Sequence, residues 1–579
     1  MKTEARFLLA VVLMLGVLIG TNRLFPPIPT PEADVLGDSV GTAVETGADR
    51  EAVSTEAGPE RAPADVTLPA DPELPSGTAV DRPVPSSSGP REIEVAVEGP
   101  RYRYRFSSVG ARMVSGELLD FEALNRNGPV ELIPEGTGGY FGQRLVVGRD
   151  TLDLSNAAFR VEPVDGLRLR EDGPAESLRF IYDHPSGEFS FDVEYVFDPA
   201  DYSVLVRGGV RGVDRALLVT DLGEGLAYAE ADSALEARSM AYVYNHLQDG
   251  VRSTVLEKAD PTIVEGPLVW AAFRNKFFVM AMLAGENDDL TDTNYLGGLI
   301  VRGSDLPERV RVGAAQTVTA EGGYAYRLFM GPQEYALLSS VGQGMEDVNP
   351  YGWRFFRPII RPFVSIIMTI LVFLHTNLSI GYGWVLVIFG VLMRIVFFPL
   401  YHKSMKAQLR NMAVQPLVKE IQDRHKDNPE KLQKEMMRLY KEHGFNPLAG
   451  CLPMLLPWPV LIALFFVFQN TIELRAVEFL WLPDLSAKDP FYILPVLLAI
   501  SMFLIQWVSL RSLDQDNPQM KMMMYIMPPM MLFIFMNLPS GLNLYYATAN
   551  IATLPQQVWI ARERARMKEG PPLSMASRD

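Results

Sequence analysis

The stretch VLVIFGVLMRIVFFPLY, from Val385 to Tyr401, decides the fold class. It is apolar except for Arg394, and no acid within it neutralises the guanidinium. At about 1.5 Å of rise per residue, a helix over this stretch comes close to crossing roughly 30 Å of hydrocarbon. An arginine near the middle of a span costs about 2.5–3.5 kcal/mol on insertion scales. Arg394 precedes Leu400 by six residues, about 9 Å along a helix. Two readings therefore stand: the side chain snorkels to the nearer headgroups, or it faces a polar hollow among several helices. Candidate lining residues for a hollow are Gln469, Ser501, Gln506, Asn543, Thr548 and Asn550.

Working outward, apolar runs at 382–400, 449–470, 491–510, 522–538 and 541–561 have the length of membrane spans. A further run, Phe363–Leu374, is too short and is expected to form an interfacial helix within 350–380. The segment 401–447 carries ten Lys/Arg, and the tail 562–579 opens on ARERARMK from 561. Basic segments beside spans collect on the cytoplasmic side. The expected layout is an N-terminal anchor over 1–25 and spans at 381–400, 448–471, 491–510, 522–538 and 541–561. The 472–490 loop lies outside, and the 401–447 and 511–521 segments and both termini lie inside. The N-terminal run lacks an A-x-A site, which favours a retained anchor over a cleaved signal.

Composition changes along the chain. The net charge is −16, with most of the acidic surplus in the first 350 residues. Residues 26–90 are rich in Pro, Ala, Gly, Ser, Thr and acids, and are expected to form a disordered linker. Residues 91–345 read as antiparallel β-structure. RYRYRF (101–106) and EFSFDVEYVF (188–197) alternate polar and apolar residues, and further strand-like runs lie near 202–213, 268–282, 308–318 and 324–331. A large all-β sandwich domain is expected.

The chemistry-bearing residues exclude more than they suggest. A single cysteine, Cys451, rules out an internal disulfide and Cys-based metal sites. There is no phosphate-loop motif and no HExxH spacing. No catalytic constellation, metal site, cofactor or nucleic-acid interface is expected. The cytoplasmic segment reads as a helical hairpin: Pro429 begins one helix after Asn428, Gly444 ends it, and Leu432 and Met436 lie on its apolar stripe, opposite a helix carrying Met412 and Pro416. The span QMKMMMYIMPPMMLFIFM holds eight methionines, and flexible thioethers adapt to varied partners.

Taken together, RIVFFPL (394–400), NPLAGCLPMLLPWPVLIALF (446–465), FMNLPSGLNLYYATANI (535–551), WAAFRNKFFVMAML (270–283) and FMGPQEY (329–335) resemble the YidC membrane protein insertase family of the Gram-negative type. The resemblance implies a five-helix core with an N-terminal anchor, a periplasmic β-supersandwich and a cytoplasmic hairpin, in a bacterial inner membrane. It implies a groove, open to cytoplasm and lipid, that contains Arg394, Gln469, Gln506, Tyr545, Tyr546 and Asn550. Along it would run a lipid-facing slide of Met454, Met523, Met527, Met530 and Met531. Implied partners are nascent membrane proteins, the Sec translocon with its accessory subunits, the ribosome or signal recognition particle, and the phospholipid bilayer. Two departures stand out: Gly390 replaces a polar residue one turn before the arginine, and Pro457 replaces a glutamine. A secondary transporter with a buried charge and an envelope enzyme using the β-domain stay open as alternatives.

Overall fold

The computed structural model describes residues 80–83, 92–213, 215–286, 295–304, 309–349, 357–399, 421, 424–425, 429–442, 458–511 and 518–569. The expected N-terminal anchor, most of the 26–90 linker, and Met412, Pro416 and Met454 lie outside these residues.

Alternation builds the β-domain. In the strand Tyr102–Ser107, Tyr102, Tyr104 and Phe106 are fully buried while Arg103 and Arg105 face water. In Ser190–Phe197 the buried set is Phe191, Val193, Tyr195 and Phe197. These two rows face one another. The Tyr102 and Tyr104 rings stack at 4.5 Å, and Phe106 meets Tyr195 at 4.9 Å. Aromatic pairs at such spacing add to simple burial. Each row belongs to a different sheet, so the domain is a sandwich of a fifteen-stranded and a five-stranded sheet. The all-β expectation holds.

Two boundaries differ from the sequence reading. Val80–Pro83, placed in the linker, forms a strand paired in parallel with Asp150–Asp153 at the edge of the large sheet. The apolar run near 268–282 is not one strand but a hairpin of Thr262–Arg274 and Phe278–Ala284. Both arms are buried on both faces near the turn, so the alternation that would mark the break is absent.

Helices follow in chain order: α1 (Ser233–Ser239), α2 (Tyr335–Val341), α3 (Arg357–Leu378), α4 (Tyr382–Pro399), α5 (Pro429–Glu442), α6 (Trp458–Asn470), α7 (Ile493–Arg511), α8 (Pro518–Phe535) and α9 (Ser540–Glu569). Among the described residues, windows in α3, α4 and α7 are long and apolar enough to cross a membrane. The twelve-residue run Phe363–Leu374 is the middle of a 22-residue helix, α3. The helix reaches further because Arg361, in its second turn, bridges Glu346 and Asp347 at 3.1 Å each, and Pro358 falls in the first turn, where a missing N–H costs nothing. α9 likewise outruns its expected end at 561 and continues through the basic segment to Glu569. Within the described residues α5 covers Pro429–Glu442, with Leu439 buried and Leu432 half-buried; Met436 lies on the same helix.

The β-domain and the helices are joined through the loop between α6 and α7. Arg475 is buried; its Nε donates to Glu230 Oε1 at 2.7 Å and its Nη2 to the Glu122 carbonyl at 2.8 Å, and its guanidinium lies over the Phe278 ring. The tip of the 262–284 hairpin reaches the same loop, with Lys276 Nζ donating to the Ser486 carbonyl at 3.2 Å. Asn275 organises that tip: its Oδ1 accepts from the Phe277 and Phe278 amides, and its Nδ2 donates to Glu236 Oε1 at 2.6 Å. Gln333 Nε2 donates to the carbonyls of Asn275 and Phe278, both at 2.9 Å. Thus WAAFRNKFFVMAML and FMGPQEY, far apart in sequence, meet at this joint. Burial pushes the Glu230 carboxyl above its ordinary value despite the pull of Arg475. Burial also raises Glu236 to about 7, against the amides of Glu230 and Ala229, and it lowers the Lys276 ammonium.

Candidate functional site: a polar seam among apolar helices

The seam starts where α4 lies against α9. A Cβ added at Gly390 would stand 3.3 Å from both the Thr548 side chain and the Tyr545 carbonyl oxygen. Glycine therefore sets the approach of the two backbones, as small residues do where helices cross in lipid. A side chain here, one turn before Arg394, would press on Thr548 and Tyr545, which fits the glycine found there.

One turn further along both helices, Arg394 Nε donates to Thr553 Oγ1. Thr553 is buried, and its hydroxyl donates in turn to the Ala549 carbonyl at 2.6 Å. The half-buried guanidinium thus contacts the neighbouring helix α9.

Other polar side chains continue the seam between α7 and α9. Asn550 Nδ2 donates to Ser501 Oγ at 3.3 Å, and Ser509 Oγ to Gln557 Oε1 at 3.4 Å. Gln506 Oε1 is buried without a hydrogen-bond partner, and so is Asn543 Oδ1. Buried acceptors left unpaired are uncommon and costly. On α9 the polar set Asn543, Asn550, Thr553 and Gln557 advances by seven, three and four residues, which keeps it on one side of the helix. That spacing, legible in the sequence, would have marked Thr553 and Gln557, which went unnoticed.

The tyrosine pair occupies an aromatic knot rather than an open wall. Tyr545 is buried and lies 5.6 Å from Phe389 on α4 and 5.7 Å from Phe468 on α6. Tyr546, half-buried, meets Phe535 edge-on at 5.4 Å. Gln469 is half-buried beside Phe468 at the end of α6. The structure thus brings Arg394 and Tyr545 to the α4–α9 contact, whereas Asn550 faces α7 and Tyr546 faces α8, and Gln469 and Gln506 lie on α6 and α7.

The methionine-rich helix α8 presents other residues outward. Met527, Met530 and Met531 are half-buried, whereas Tyr525 (63% exposed) and Phe533 (74%), with Ile526 and Ile534, are its exposed large apolar side chains. Met523 also falls on α8. Exposed apolar residues recur on α4 (Val391, Ile395, Val396) and α7 (Val496, Ile500, Leu504). Such a belt is what hydrocarbon contact requires. Among the described residues no cluster of His, Cys, Asp or Glu could hold a metal ion.

Comparison with known proteins covers most of the chain. Residues 94–366 match the family described as the YidC periplasmic domain, and residues 373–568 match the family described as 60Kd inner membrane protein. A membrane protein insertase YidC of Pelodictyon phaeoclathratiforme is 32% identical over 502 residues, covering 82% of this chain and 84% of that protein. One from Syntrophus aciditrophicus is 28% identical over 580 residues, covering 97% and 100%. A crystal structure of an active YidC insertase with its first transmembrane domain resolved is 18% identical, covers 82% of this chain and 94% of that one, and has a TM-score of 0.32.

Proposed function

The chain belongs to the YidC family of membrane protein insertases, and from that premise we propose that its polar seam is the path by which hydrophilic ends of client proteins enter the bilayer. A hydrophobic segment crossing alone must drag its polar flank through hydrocarbon at several kcal/mol per unsatisfied group, on the order seen for buried polar groups elsewhere. A seam wetted from one side shortens that path. Arg394 attracts acidic tails, and the unpaired acceptors of Gln506 and Asn543 suit water or peptide N–H groups. The apolar segment then leaves past the exposed faces of α4 and α8 into lipid. Partitioning and the membrane potential, about 2.3 kcal/mol per charge per 100 mV, drive the step.

In this reading the basic hairpin and the tail face the cytoplasm and the β-domain faces the periplasm, as the Lys/Arg distribution favours. α3 lies along the interface on the β-domain side. Its buried stripe of Ile360, Val364, Ile367 and Leu371 packs inward, and its opposite face leaves Ile359, Ile366 and Phe373 uncovered. The hairpin residues Met412, Pro416, Leu432 and Met436 serve contacts with the ribosome or targeting factors, and the Sec translocon is a co-operating partner.

The observation that carries the proposal is the Arg394 guanidinium, in an apolar run of α4, bonded to the polar side of α9. It is tested with Arg394→Ala and Arg394→Lys variants in proteoliposomes, using a single-span client with an acidic leading tail. Loss of insertion is expected for Arg394→Ala, whereas Arg394→Lys, which keeps the charge, is expected to retain part of it. Wild-type insertion by Arg394→Ala would overturn the reading.

A further inference from the structure

The loop joining α6 to α7 has a second side. Its inner side is locked to the β-domain through Arg475 and Lys276. Its outer side carries Leu480 (73% exposed) and Phe491 (67%), together with exposed Tyr492. Phe479 and Leu482 exchange both backbone hydrogen bonds at 2.8 and 2.9 Å, which leaves Leu480 and Trp481 as a two-residue hairpin turn. Leu480 has φ +55 and Trp481 does not share the positive φ, so the leucine takes the turn position that ordinarily goes to glycine. Tyr492 is also at positive φ, +56. Bulky residues rarely adopt this conformation. Here two of them do so, and both side chains stand exposed.

The turn is held firmly. Phe479 packs flat on α4, where a Cβ at Gly383 would lie 2.1 Å from its ring, and it meets Trp384 edge-on at 5.3 Å. Trp481 Nε1 donates to Asp489 Oδ1, and the fully buried Asp489 also caps the start of α7 through the Leu494 amide at 2.7 Å. Trp384 itself is 54% exposed at the start of α4, and Ile493 and Val496 are exposed at the start of α7. The apolar residues of the loop therefore continue the exposed belt of α4 and α7 at one end of both helices.

We propose that Leu480, Phe491 and Tyr492, with Trp384, form an anchor seated in the headgroup–acyl boundary of a phospholipid bilayer on the β-domain's side. Aromatic and aliphatic residues at the ends of spans favour that depth. Because Arg475 and Lys276 tie the same loop to the β-domain, the anchor sets the height of that domain over the bilayer. The inference rests on the reading above that α4 and α7 cross the membrane.

The test uses full-length protein in phospholipid vesicles, in a Cys451→Ser background, with nitroxide labels introduced one at a time by Leu480→Cys, Phe491→Cys, Ile500→Cys and Arg149→Cys. Relaxation by oxygen and by a water-soluble nickel chelate reports depth. Labels at 480 and 491 are expected to show an oxygen-to-nickel ratio several-fold above that at 149 and below that at 500. A ratio at 480 and 491 equal to that at 149, with 500 remaining deep, overturns the anchor alone. Shielding from both reagents overturns it in favour of a protein occupant. An aqueous signal at 500 overturns the spanning assignment and the anchor with it. The four labelled positions 149, 480, 491 and 500 are exposed in the structure, so folding is expected to survive the labels.

Discussion

Arg475 Nε lies 2.7 Å from Glu230 Oε1, a contact between residues 245 positions apart that joins the β-domain to the helical core. Both side chains are buried, so neither can turn to water if the other is lost. Motifs that would read as separate features of a β-domain act here as parts of one joint.

Replacing Arg475 by Leu is expected to cost about 3–5 kcal/mol, the range for leaving one partner of a buried ion pair unmatched. Adding Glu230→Leu should recover part of that loss. Thermal unfolding of the purified protein in detergent checks both, and a loss in the double variant equal to the sum of the two single losses would show that the pair is not coupled.

Glu236 introduces a pH dependence of definite sign. Its carboxyl is raised from 4.5 to about 7 in the folded chain by burial. The folded state therefore binds the proton more tightly than the unfolded one. Stability from this group is full below its ordinary value and falls, by at most about 3 kcal/mol, as pH rises through about 7. The apparent Tm is expected to drop between pH 5 and pH 8, and Glu236→Gln to flatten that slope.

Thr553→Val keeps the shape of the side chain but removes the hydroxyl that receives Arg394. Losing a hydrogen bond to a charged group costs about 1.5–3 kcal/mol, so insertion of an acidic-tailed client should fall roughly tenfold or more. Thr553→Ser is expected to retain most of the activity. Equal activity in both variants would remove Thr553 from the seam.

Gly390→Ala places a methyl 3.3 Å from Thr548 and the Tyr545 carbonyl. Forcing α4 from α9 is expected to cost about 1–3 kcal/mol, and Gly390→Val more. Unfolding in detergent measures the cost; an increase in Tm for the alanine variant would contradict the close approach.

Much of this was legible in the sequence because the physics was local. Alternation in RYRYRF and EFSFDVEYVF placed each aromatic ring on its buried face. The failures have a common cause as well. The 262–284 hairpin is buried on both sides near its tip, so no period revealed its turn at Asn275. α3 extends past its apolar run because Glu346 and Asp347, outside the helix, meet Arg361 near its start. The site was half visible: Arg394 is conspicuous in an apolar run, but Thr553 is an ordinary threonine until the approach allowed by Gly390 brings it within reach. Arg475 could not have been found at all, since its partner comes from another domain.

The unbroken course of α9 has a mechanical side. Thirty residues at about 1.5 Å each make a rod of roughly 45 Å, longer than a bilayer's oily interior. Thr553 and the basic far end at Glu569 ride on the same shaft, about 24 Å apart, with Pro555 as the proline able to bend it between them. The charged tip and the hydroxyl that receives Arg394 therefore belong to one continuous helix.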